Sequence, residues 1–162
     1  CRKRHEGNKS VTVTEVAIGE EAGTSGMFIG GALSTIREDA KANFERLPWA
    51  KGSFSGDRLS QVPVVTLDQF LLRNGILPGF DLLVVDVEGF EGKVLSRFDL
   101  EKWRPRMVIV ELHDQNRDYV FLWDEANTIV DKFSQGRYKV IYKDFTNTIY
   151  VPAGLFPERP TR

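Results

Sequence analysis

Two short runs bring together side chains that exchange protons or hold cations. One is "VVDVEG" (84–89), which carries Asp86 and Glu88; the other is "VIVELHD" (108–114), which carries Glu111, His113 and Asp114. In both, an apolar run stops at a titratable group. If the runs are strands, alternation places Asp86 and Glu88 on one face, and Glu111 and His113 on one face of theirs. If the strands are also neighbours, four titratable groups meet at one rim. Crowded carboxylates raise one another's pKa unless a cation or a hydrogen-bonded ligand relieves them. Such a cluster suits three tasks: holding a metal, acting as a general base, or gripping hydroxyl or ammonium groups of a ligand. Gly89 allows a sharp exit from the strand and close approach of a ligand. Glu88 and Glu91 precede or open the next helix, whose dipole favours negative charge. Asp114 reads as the cap of a turn, and Trp49, Trp103 and Trp123 read as packing residues.

The elements that must position these groups follow from hydrophobic period and turn residues. "VTVTEVAIG" (11–19) reads as a strand. Residues 20–62 are the least regular part, dense in Gly and Ser, with a helix expected over 35–47 that Pro48 stops and a loop over 48–61. "VVTLDQFLLRNG" (64–75) predicts a helix with Thr66 as N-cap, Gln69 closing a capping box, and Gly75 ending it. "FDLLVVDV" (80–87) has the continuous apolar pattern of a strand covered on both faces. A helix over 90–98, a second buried strand over 106–112 and a helix over 119–136 follow. "RYKVIYKDF" and "NTIYVP" then predict an antiparallel hairpin. Strands alternating with helices give an α/β fold: a mostly parallel sheet wrapped by helices, closed by that hairpin. In open parallel sheets ligands bind beyond the carboxyl ends of the strands, where the acids lie.

Bulk properties narrow the function classes. The chain has 162 residues, 41% hydrophobic and 28% charged, which fits one folded domain over 1–162. A net charge of −1 argues against a nucleic-acid partner. The basic opening "CRKRH" reads as a solvated helix end. Cys1 is the single cysteine, so no intrachain disulfide forms and a reducing, cytoplasmic setting is expected. "LLVV" and "MVIV" are too short to span a bilayer, so no membrane partner is expected.

The ordered set "VPVVTLDQFLLRNG", "DLLVVDVEGFEGKVL", "RPRMVIVEL" and "NTIYVP" resembles FkbM-type methyltransferases over residues 11 to 152. In that family a "T-x-LD" helix start (here Thr66, Leu67, Asp68) precedes a strand ending "D-x-EG-x-E" (here Asp86, Glu88, Gly89, Glu91). The resemblance implies a Rossmann-like sheet and S-adenosylmethionine as cofactor. It implies that Ala17, Ile18 and Gly19 lie near the adenine, that Asp86 sits beside the transferred methyl, and that 20–62 covers the acceptor. The implied reaction is methyl transfer to an oxygen of a small molecule or sugar, a direct displacement in which the protein aligns the acceptor and takes its proton. Glu88, Glu111 or His113 is the expected base. Alternatively, Asp86, Glu111 and His113 hold a divalent metal that lowers the acceptor's pKa. The family's first two strands and Gly-rich turn find no counterpart, so an N-terminally truncated domain is expected. The open sheet edge this leaves invites homo-oligomers.

Two other classes compete. A non-catalytic remnant would use the same sheet without the cofactor. A metal-dependent nuclease or phosphoesterase would use Asp81 or Asp86 with Glu91 and Lys93.

Overall fold

Strands and helices alternate in the computed structural model, which describes residues 2–54 and 59–155. Cys1 and residues 55–58 of the expected loop lie outside the described residues. The elements are β1 (Ala17–Ile18), β2 (Gly23–Phe28), α1 (Glu38–Phe44), β3 (Leu59–Val65), α2 (Leu67–Arg73), β4 (Leu83–Val85), α3 (Glu91–Arg97), α4 (Leu100–Trp103), β5 (Val108–Glu111), α5 (Trp123–Gln135), β6 (Tyr138–Lys143) and β7 (Asn147–Pro152). The fold is α/β and Rossmann-like, with two mixed sheets ordered β1-β3-β2 and β4-β5-β7-β6. The parallel pairs are β1 with β3 and β4 with β5. Among the described residues no helix is long and apolar enough to cross a membrane.

The small sheet corrects the reading of residues 11–65. β2 and β3 form an antiparallel ladder from Gly23↔Val64 to Phe28↔Leu59, inside the stretch read as irregular. Its signal was hidden because Gly and Ser dominate β2, and these contribute little side-chain packing. The expected strand over 11–19 pairs only at Ala17↔Val64 and Ile18↔Val65. That ladder begins just past Pro63, whose ring removes the N–H that an earlier rung would use. Val64 and Val65 therefore belong to β3, and the helix expected from 64 starts at Leu67. Its capping box is present: Gln69 N–H donates to Thr66 Oγ1 at 3.2 Å, and Thr66 N–H donates to Gln69 Oε1 at 3.4 Å.

In the larger sheet, Leu83 and Val85 of β4 and Val108 and Val110 of β5 face one core, against Val94, Leu95 and Phe98 from the α3 segment and Ile129 and Phe133 of α5. The hairpin β6–β7 closes it through antiparallel pairs β5–β7 and β6–β7. Expected cover on both faces of β4 is not found: Leu82 and Val84 are 49% and 58% exposed, because the described helices pack on the other side. The helix read over 119–136 begins at Trp123, after a 3₁₀ segment Arg117–Leu122 kinked at Tyr119. A second core cluster joins Ala40, Phe44 and Leu47 to Tyr119 and Leu122. It seats the α1 segment over the ends of β4 and β5.

The "T-x-LD" aspartate has a structural task. Asp68 accepts the Trp103 indole N–H at 2.8 Å and the Asp99 N–H at 3.2 Å, which ties α2 to α4. Trp103 is buried, as read, whereas Trp49 is 60% exposed and joins no core cluster among the described residues. Asp68→Ala leaves the buried indole N–H without an acceptor, so denaturant unfolding should show a loss of about 1–3 kcal/mol. Asp68→Asn, which keeps an acceptor oxygen, should lose less; equal losses would refute this account of the side chain.

Candidate active site

The pairing Val85↔Val110 sets the register of the site, because it puts the next residue, Asp86, beside Glu111. The two carboxyl groups share a hydrogen bond. Glu91, the first residue of α3, turns back toward them and accepts the Val87 N–H through Oε1 at 2.8 Å. One oxygen from each of Asp86, Glu91 and Glu111 lies within 4.8 Å of the others. His113 Nε2 sits 3.2 Å from Glu111 Oε1, and its ring stacks on Tyr119 with centroids 3.8 Å apart.

Asp86 and Glu88 do not share a face by strand alternation, because β4 ends at Val85. Instead Glu88 adopts φ 53° and Gly89 φ 87°, two successive left-handed residues. For a non-glycine residue this conformation costs roughly 1–2 kcal/mol, and such strain persists only where the surroundings hold it. The turn returns Glu88 to the same opening as Asp86. Both line a cleft of about 490 Å³ walled by Ala17, Ile18, Met27, Ile36 and Phe90. Gly19 lies in an adjoining depression that shares Ile36 and Phe90 with the cleft. There is no room there for a side chain, since a Cβ on Gly19 would stand 2.6 Å from Val64 Cγ1.

Glu111 and His113 lie behind this opening, in a narrow crevice with Glu91 and Glu125. Asp114 caps no turn; it forms an ion pair with Lys143. Asp81 lies at the opposite end of β4 from Asp86, on the surface with Arg106, and Lys93 faces Glu20. Of the residues a metal-dependent nuclease would use, Asp86 and Glu91 converge, while Asp81 and Lys93 lie elsewhere.

The electrostatics follow from burial and crowding. Burial, then the charges of Glu111, Asp86 and Glu91, push Glu88 up to about 7. Burial pushes Glu91 up to about 7 as well, against the pull of the Val87 N–H. Asp86 is raised by desolvation of its inner side and by Glu111. Burial works to raise Glu111, but its bonds to His113 and Asp86 outweigh that and hold it below the ordinary range. Burial opposes protonation of His113, yet the Glu111 partner raises it overall. Glu111 and His113 thus favour each other's charged forms as a hydrogen-bonded pair. Burial and the nearby Glu111 and Glu88 push the Tyr119 hydroxyl up to about 12.

The model of one family, described as the methyltransferase FkbM domain, matches residues 2–140. The chain belongs to the FkbM methyltransferase family. No curated protein and no solved structure matches it. Membership of the FkbM family makes this a methyltransferase domain and implies S-adenosylmethionine as its methyl donor. The FkbM cleft suits such a ligand on two counts. Its volume is in the range of small-molecule sites, roughly 300–1,000 Å³. Its apolar wall and paired acids also match a flat aromatic base next to a sulfonium cation. In this FkbM domain Glu91 is the residue whose site position the sequence left unassigned. The "D-x-EG-x-E" spacing carried the signal, but a helix-opening glutamate gave an equally good account of it.

Because Glu91 is protonated at higher pH when folded than its ordinary value of 4.5, folding binds a proton between those limits. Stability should therefore fall as pH rises from about 5 to 8, by roughly 3 kcal/mol at most from this group. Glu91→Gln keeps an acceptor for Val87 and removes the charge. Denaturant melts in the presence of chelator should show a flatter pH dependence for this variant and higher stability at pH ~8. An unaltered slope would show that Glu91 is not the group responsible.

Proposed function

We propose that this domain transfers a methyl group from S-adenosylmethionine to a hydroxyl oxygen of an uncharged small molecule or sugar. The observation that carries this reading is the cleft itself. Asp86 and Glu88 are its only charged lining groups among the described residues, and the rest of its wall is largely apolar. An anionic acceptor would meet like charge there, whereas a hydroxyl finds an acceptor for its proton. S-adenosylmethionine, when bound, supplies a methyl group made electrophilic by its sulfonium. Ala17 and Ile18, with Gly19 beside them, form the apolar side that would hold the adenine. Asp86 provides negative charge opposite the sulfonium. Glu88 would take the proton from the acceptor hydroxyl as the oxygen–carbon bond forms and the donor's sulfur–carbon bond breaks, the donor leaving as the neutral thioether. Its value of about 7 matches a general base at neutral pH. Glu111 and His113 support Asp86 from behind and have no direct access to the cleft.

A metal-assisted variant of the same transfer is favoured by one observation, the convergence of carboxylate oxygens from Asp86, Glu91 and Glu111. A divalent cation there would be held by these three, with His113 outside the set. It would lower the acceptor's pKa in place of a side-chain base.

Calorimetry with S-adenosylmethionine, followed by transfer of its labelled methyl to methyl glucoside and to glucose 6-phosphate, tests the reading. Binding of the donor and preference for the uncharged acceptor are expected. Glu88→Gln should lower the transfer rate by about 10²–10⁴-fold. In the wild type, kcat/KM should rise as pH increases through about 7, where Glu88 loses its proton. Loss of activity on chelation with Glu88→Gln still active would favour the metal-assisted variant. Failure to bind the donor at all would overturn both.

A further inference from the structure

We infer that Arg37 is a positioning residue for Glu88, a role that rests on the reading of Glu88 as the base. Arg37 sits just before α1, with its side chain only 13% exposed. Its Nη1 donates to the carbonyl of Gly89 at 2.8 Å, across 52 positions of sequence. The same Nη1 lies 2.9 Å from Glu125 Oε1 on α5. Nε and Nη2 grip Asp39 bidentately, at 2.6 and 2.8 Å. One guanidinium thereby joins α1, α5 and the turn that leaves β4. Only an arginine fork serves three such partners at once; a lysine ammonium is a point charge on a flexible stem.

The packing around this contact leaves little slack. A Cβ on Gly89 would stand 3.2 Å from the Ala40 Cβ, so the turn lies directly on α1. A Cβ on Gly92 would stand 2.5 Å from the Glu125 Cβ, so the approach of Glu125 depends on a glycine in α3. Glu88 is bracketed. The residue before it is held through Val87 N–H to Glu91, and the residue after it through Gly89 carbonyl to Arg37. Both brackets are side chains from other elements, the Glu91 carboxyl of α3 and the Arg37 guanidinium before α1. Together they maintain the left-handed backbone that aims Glu88 into the cleft. Arg37 does not line that cleft; it acts through the turn.

The test compares Arg37→Met with Arg37→Lys and with Ala42→Gly, an exposed change on α1 that weakens the helix without touching the turn. A positive φ gives a strong intraresidue amide-to-Hα NOE, and this signal from Glu88 needs no ligand. Arg37→Met should lose it and Ala42→Gly should keep it. With methyl glucoside as acceptor probe, Arg37→Met should lower kcat by about 10–100-fold while both KM values change little. Arg37→Lys, which still donates to Gly89, should recover part of that loss. If Arg37→Met does not fold, Asp39→Asn releases one grip on the guanidinium and should lower kcat in the same direction. A folded Arg37→Met, or Asp39→Asn in its place, with the NOE intact and kcat equal to that of Ala42→Gly overturns the inference. If Glu88→Gln leaves transfer intact, the base assignment falls, while the NOE comparison still decides the role of Arg37.

Discussion

Three carboxylates meet where β4 and β5 end side by side, and much of the local structure exists to make that meeting tolerable. Asp86 and Glu111 are brought together by a backbone register, not by attraction between their side chains. Partly buried acids this close cannot all be ionised, so the energy is relieved in different ways at each. Glu111 keeps its charge by pairing with His113. Asp86 is raised and shares a hydrogen bond with Glu111. Glu91 is buried and satisfies the amide of Val87. The result is a cluster with a fixed internal arrangement and one acidic face turned toward the cleft.

The same constraint explains the turn after β4. A strand that continued straight would carry Glu88 past the opening. Two consecutive left-handed residues fold it back, and helices α1 and α5 hold the folded form through Arg37 and Glu125. The second core cluster, built from α1 and the 3₁₀ segment around Tyr119, then has a task beyond its own stability. It seats Arg37 over the turn and the Tyr119 ring on His113. Packing distant from the cleft thus decides where its acids point.

The large α/β elements were legible because each carries a local signal strong enough to survive folding. The helix beginning at Thr66 declares itself by its capping box, and the hairpin over 138–152 by two β-rich runs around a short turn. The hairpin of β2 with β3 was not legible. Its partners lie far apart in sequence, and its first strand, "GTSGMF", has little β preference. What specifies it is the ladder, which exists only after the chain has closed.

For the site, the order of residues determined that Asp86 and Glu88 end one apolar run and Glu111 and His113 another. Membership of the strands in one α/β layer then followed from their alternation with helices. Tertiary structure alone decided the rest. It made the two strands neighbours in a particular register and took Glu91 into the cluster. It also turned Glu111 and His113 inward and left Asp86 and Glu88 facing the cleft. The reason is physical. A residue's type and its local period set what it can do and which way an isolated element would present it. Which groups share a low-dielectric space, and so which keep their charge, depends on contacts between segments that no local pattern encodes.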